Sequence, residues 1–147
     1  MVFHSTNELK QYIISHSGVA LQKATEQIYQ VIDRFVKEFY AEYSPAMYER
    51  TYQLYRSLVK TDIKSTGNGW TAYVYFDFSS LNYITDSQPS GAQVMNVASW
   101  GGHGAKGLHI VAGDTGIWDE PMQILKGQGQ AIEILKKMLI AEGISIK

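Results

Sequence analysis

The 147-residue chain contains no cysteine. Disulfides, thiol nucleophiles and Cys-type zinc or iron–sulfur sites are therefore excluded outright. It lacks a charge excess: the formal net charge is -1, which gives no overall pull toward nucleic acid or anionic lipid. It lacks any stretch of about 18 apolar residues, so no membrane-spanning helix is expected. The first residues, MVFHSTNELKQYIISHSG, have neither a basic start nor a long apolar run and are not expected to act as a signal peptide, which makes the cytoplasm the default compartment.

What is present suits one folded domain over residues 1–147. The hydrophobic fraction of 45% is enough for a core in a chain of this size. Ten tyrosines against five phenylalanines mark half-buried surfaces, either strand packing or interfaces.

Ser5 and Glu8 have the spacing of a capping box, which predicts a short helix through about Ser15 with Leu9, Tyr12 and Ile13 on one face, interrupted at Gly18. Leu21, Ala24, Ile28, Val31, Ile32, Phe35 and Phe39 then recur at threes and fours, which predicts a long amphipathic helix over residues 19–42. Ser44 and Pro45 read as a cap and first-turn proline, with a bend before a second helix over residues 45–58.

The period changes at Val59. Val59, Thr61, Ile63 and Ser65 alternate with Lys60, Asp62 and Lys64. After Gly67-Asn68-Gly69, the residues Trp70, Ala72, Val74, Phe76 and Phe78 alternate with Thr71, Tyr73, Tyr75 and Asp77. Two such runs about a turn predict a β-hairpin. Residues 79–91 read as a loop, 93–98 as a third strand and 108–112 as a fourth. Asp119 or Glu120 is placed to cap a helix at Pro121, and Gly127 and Gly129 should break it. Ile132, Leu135, Met138 and Leu139 then form a stripe, with Gly143 at the C′ position. The order predicts an α+β fold: N-terminal helices including a long amphipathic one, a small antiparallel sheet with a hairpin, and a C-terminal helix packed on the sheet.

Two chemical readings compete over residues 101–109, GGHGAKGLH. Gly102, Gly104 and Gly107 fit the spacing G-x-G-x-x-G, but a dinucleotide loop must open a helix, and a β-like run follows here. Lys106 lacks the Ser or Thr of a Walker loop. His103, His109 and Asp114 supply enough ligands for a divalent metal, yet no short spacing fixes them on one face. A small metal- or nucleotide-dependent enzyme using this loop stands as the alternative reading.

The most distinctive stretch is YSPAMYERTYQL, residues 43–54. The pattern Y-x-P-x-x-Y-x-R-T-x-x-L resembles that of minor tail components of tailed bacteriophages and prophages, the tail-completion or head–tail joining proteins of siphophages. The resemblance covers roughly residues 19–142: a long helix before the motif, a hairpin after it, a Gly/His loop and a C-terminal helix led by Trp118. It implies a non-enzymatic structural protein with no catalytic residue, cofactor or metal. Its expected partners are other tail or neck proteins and copies of itself in a ring, with neither nucleic acid nor membrane. Its expected location is the virion tail or neck, and the bacterial host cytoplasm during assembly. The family motif falls on Tyr43, Pro45, Tyr48, Arg50 and Thr51; these residues either meet a partner or simply fix the bend between helices. The glycine loop, with Trp100, Gly102, His103 and Lys106, becomes a candidate partner-contact loop.

Overall fold

The computed structural model describes residues 2–42, 52–81, 90–99 and 116–146. Helix α1 spans Thr6–Glu42, α2 Gln53–Ser57, α3 Gly91–Ala98, α4 Asp119–Met122 and α5 Gln130–Ala141. Strands β1 (Leu58–Lys60), β2 (Lys64–Ser65), β3 (Trp70–Thr71) and β4 (Val74–Phe76) lie between α2 and α3. The α+β class is as the sequence predicts, with a long N-terminal helix, small antiparallel ladders and a C-terminal helix.

Helix α1 starts where the sequence places it. Ser5 Oγ accepts from Glu8 N at 3.1 Å, and the Glu8 carboxylate reaches back to His4 N rather than Ser5 N. It does not stop at Gly18. Its 37 residues run unbroken to Glu42, so the two helices expected over 6–15 and 19–42 are one. Gly18 is buried, and a Cβ built on it would meet the Trp70 indole at 2.8 Å. The glycine serves a close approach inside the helix; it does not end it.

The buried side of α1 is Ala20, Ala24, Thr25, Ile32, Phe35, Val36 and Phe39, close to the expected stripe. Ile32, Val36 and Phe39 join Leu54, Leu58, Phe76, Leu81, Met95, Ala98, Ile117 and Leu125 in the main core. Ala20 and Ala24 form a smaller cluster with Met138 of α5. Helix α5 thus docks chiefly along α1, with Ala131 and Ile134 reaching the main core. Its stripe is corrected accordingly: Ile132 is 61% exposed, and the covered positions are Ala131, Ile134, Leu135, Met138 and Leu139. Gly143 closes the helix as expected, at φ 81°, with Ile144 N donating to Leu139 O and Gly143 N to Ile140 O.

The hairpin is divided. Leu58 pairs with Phe76 and Lys60 with Val74, whereas Lys64 pairs with Thr71 and Ser65 with Trp70. Between these ladders Thr61, Asp62 and Ile63 face only Ala72 and Tyr73, in the manner of a β-bulge. The bulge changes which residues of the first strand face α1. Lys60 turns to α1, where its ammonium contacts Glu26 and lies 5.0 Å from the Tyr29 ring centre. Val59 sits opposite exposed Tyr75 instead of on the core side. Phe78 is exposed too, in a 3-10 turn over Phe78–Ser80.

Three further expectations change. The helix over 45–58 is described only as α2: Tyr52 adopts a left-handed φ of 55°, and Leu58 already belongs to β1. Residues 93–98 are helical, not a strand. Trp118 occupies the cap position of α4, placing Asp119 and Glu120 in its first turn. The break at Gly127 and Gly129 is present: a π-type turn over Gln123–Gly127 ends at Gly127, and Gly129, φ 73°, caps the start of α5. The expected strand over 108–112 lies outside the described residues.

The Lys60 contact sets a pH dependence. The hydrogen bond from Lys60 holds the Glu26 carboxyl below its ordinary value of 4.5. A depressed folded pKa stabilises the fold above the unfolded value and loses that contribution as pH falls through the folded one. Both side chains are more than a third exposed and screened by solvent, so the pair is worth less than about 1 kcal/mol. Glu26→Gln is expected to lower stability slightly at pH 7, with the difference vanishing on acidification below the carboxylate range. Urea unfolding across a pH series checks this; a difference that persists in acid would exclude an ionic cause.

Candidate functional site

The described part of the motif stretch is its end. Leu54, the final residue of Y-x-P-x-x-Y-x-R-T-x-x-L, is buried in the main core. Tyr52 stacks on Tyr40 of α1 with ring centres 5.2 Å apart, and Tyr55 meets Tyr40 edge-on at 5.9 Å. The chain therefore comes back on itself between Tyr40 and Tyr52. Tyr43, Pro45, Tyr48, Arg50 and Thr51 lie outside the described residues.

A second convergence is built around α3. Ser90 caps this helix: its Oγ accepts from Gln93 N, while the Gln93 side chain accepts from Ser90 N. Met95 and Ala98 enter the core, and Gly91 lies so close to Phe78 O that a Cβ would stand 2.9 Å from it. After α3, Ile117 N donates to Ala98 O at 3.1 Å and Asp119 N to Ser99 O at 3.1 Å. These bonds hold the two flanks of residues 100–115 together. Trp100, Gly102, His103 and Lys106, with His109 and Asp114, lie between them, outside the described residues.

At these flanks opens a groove of about 440 Å³, lined by Tyr75, Phe76, Phe78, Met95, Trp118 and Asp119 among others. Phe76 is 6% exposed and forms its floor, edge-on to Trp118 at 5.7 Å. Tyr75 and Phe78, each 45% exposed, present aromatic surface beside it. Phe78 is held outward by Asp77, whose carboxylate accepts from both Ser79 N and Ser79 Oγ. Ser99 Oγ donates to Asn96 O and is engaged with the backbone. Among the described residues, Asp119 is the one carboxylate lining the groove, with Glu120 next to it in the same first turn.

The aromatic wall that the described residues form suits apolar contact more than bond-making chemistry. Among the described residues, no three His, Cys, Asp or Glu side chains stand close enough to share a metal. Nor is any described helix long and apolar enough to cross a membrane. The groove was not read from the sequence. The alternation that exposes Tyr75 was legible there; the Ser90–Gln93 capping signature is present there too, but the reading of 93–98 as a strand passes over it.

The arrangement is that of a small α+β domain whose surface features are aromatic clusters. Family comparison assigns it further: the YomN family model matches residues 5–141, nearly the whole chain, and the protein belongs to that phage- and prophage-associated family. No curated protein and no solved structure matches the chain significantly.

Proposed function

We propose that the protein is a structural component of a phage or prophage tail, a tail-completion or head–tail joining subunit that works by protein–protein contact and self-assembly into a ring. The observation that carries this reading is the family match over residues 5–141, which includes the motif stretch YSPAMYERTYQL. The aromatic groove beside the flanks of residues 100–115 supports it, because exposed tyrosine, phenylalanine and tryptophan are the side chains that anchor interfaces. In this role the chain performs no catalysis and needs no cofactor. Its partners are tail or neck proteins and further copies of itself, and it resides in the virion.

Two measurements test the reading. Peptides of the chain are expected in purified, DNA-filled particles at a fixed ratio to the tail-tube protein. The isolated protein is expected to self-associate with rising concentration, or to co-purify with a tail or neck protein encoded beside it. A chain absent from particles, monomeric at every concentration and bound by none of those neighbours overturns the proposal.

A further inference from the structure

We propose that the β2–β3 arm is a hinged strap, fastened to α1 by Trp70, and that unfastening it frees the first turns of α1 while the main core stays folded. The device is independent of the tail reading above.

The arm has no core of its own, since no residue from 61 to 75 is buried. Its ladder has two pairs, Lys64 with Thr71 and Ser65 with Trp70, closed by a turn in which Thr66 N donates to Gly69 O. A two-stranded hairpin of this kind is marginal by itself in water. It is also cut off from the ladder below it. At the junction Tyr73 N donates to a side chain, Thr61 Oγ1, at 3.0 Å, and Asp62, Ile63 and Ala72 pair in neither ladder. Such a break in pairing is where a strand pair bends. Among the described residues, the one hydrogen bond between arm and helix is made by Trp70. Its Nε1 donates to Ile14 O at 2.6 Å, and the indole lies on the bare backbone of Gly18. This bond opens without orphaning a buried group. Ile14 O also accepts from Ser17 Oγ at 2.9 Å and sits inside the helix, so it keeps partners when the indole leaves. The freed indole N–H passes to water.

The front of α1 depends on this strap. No residue from 6 to 17 is buried, and the buried apolar side chains of the helix begin at Ala20. A free helix of about 12 residues is marginal in water. Two clasps hold this one. Trp70 grips it at Ile14 and Gly18. Tyr12 Oη donates to Glu142 O at 3.4 Å, and a Cβ on Gly143 would meet the same hydroxyl at 2.8 Å. Positions 12 and 14 are about 200° apart around a helix, so the clasps lie on nearly opposite sides. With the strap undone, the long Tyr12 bond is the one described hydrogen bond left between residues 6–17 and the rest of the fold. The front of α1 and the arm then open together as a local unit.

Hydrogen exchange of the whole chain, read by mass spectrometry, tests this, with the folding of each variant verified by circular dichroism. In the natural chain residues 6–13 and 64–71 are expected to exchange at least about tenfold faster than residues 28–39. Trp70→Ala is expected to speed exchange over residues 6–13 by a further factor of about ten, the effect of losing a contact of this size. Gly18→Leu, which expels the indole, should do the same over residues 64–71. Trp70→Phe keeps an aromatic ring but loses the N–H, and should act in the same direction to a smaller extent. Leu125→Ala loosens the main core, and should speed residues 28–39 while leaving 6–13 and 64–71 unchanged. If exchange over 6–13 ignores both Trp70 variants, or exchange over 64–71 ignores Gly18→Leu, the strap is overturned and the helix end merely frays. If both segments exchange as slowly as residues 28–39, or are sped with them by Leu125→Ala, the strap is overturned as well, because the front then opens only when the whole domain unfolds.

Discussion

Phe76→Ala is expected to cost about 3–5 kcal/mol, the range for emptying a buried aromatic site. Phe76 lies at the meeting of three parts of the molecule. Its strand pairs with β1 through Leu58, its ring sits in the core with Ile32 and Val36, and its edge meets Trp118. No single neighbour is placed to fill the space, because the lining comes from a helix, a two-stranded ladder and the α4 cap. A domain of this kind has about 5–15 kcal/mol in total, so the loss removes a large share of it. The melting temperature is expected to fall by roughly 6–20 °C. Phe76→Leu, which keeps most of the apolar volume, should lose much less. A thermal melt that moves by less than 2 °C or so for the alanine variant would show that Phe76 is not a central core contact. The substitution also removes the floor of the groove, so any association through that groove should weaken in molecules that remain folded.

The elements set by local chemistry were legible. Ser5 with Glu8 and Gly143 with its left-handed backbone mark the outer ends of α1 and the C-terminal helix in the sequence as in the fold. The long stripe from Ala24 to Phe39 is likewise the buried face of α1. Misreadings arose where a distant residue decides. Residues 93–98 alternate passably as a strand, but Ser90 and Gln93 cap a helix whose Met95 and Ala98, three apart, enter the core. The first hairpin strand looks apolar at odd positions because the pattern begins at Val59. Leu58 is the true start, and the unequal count between the ladders puts Lys60, not Val59, toward Glu26 of α1. The groove was invisible for the same reason. Its lining comes from β4, the Phe78 turn, α3 and α4, joined by the bonds from Ile117 to Ala98 and from Asp119 to Ser99. Nothing in the local sequence announces those bonds.

Gly18 is the sharpest case of such a distant decision, and it yields a prediction whose sign depends on its partner. In an isolated helix Gly18→Ala should stabilise by about 1 kcal/mol, since alanine is the better helix former. In this protein the Trp70 indole covers the turn between Ile14 and Gly18. Its Nε1 donates to Ile14 O at 2.6 Å, and two of its ring atoms would lie within 3 Å of a Cβ at position 18. Trp70 is fixed in a short ladder opposite Ser65, so the ring yields only by giving up that hydrogen bond or straining β3. Overpacking of this kind costs about 1–3 kcal/mol, and a lost hydrogen bond about 1 more. The net expectation for Gly18→Ala is a loss of about 1–3 kcal/mol in urea unfolding, and a larger loss for Gly18→Leu. With Trp70 replaced by alanine the obstruction is gone, and the same Gly18→Ala change is expected to stabilise by about 0.5–1 kcal/mol. Helix propensity and indole contact thus act in opposite directions, and the double-mutant cycle separates them. Stabilisation by Gly18→Ala in the presence of Trp70 would show that the indole does not hold α1 at this point, and that the glycine is no more than a weak spot in the helix.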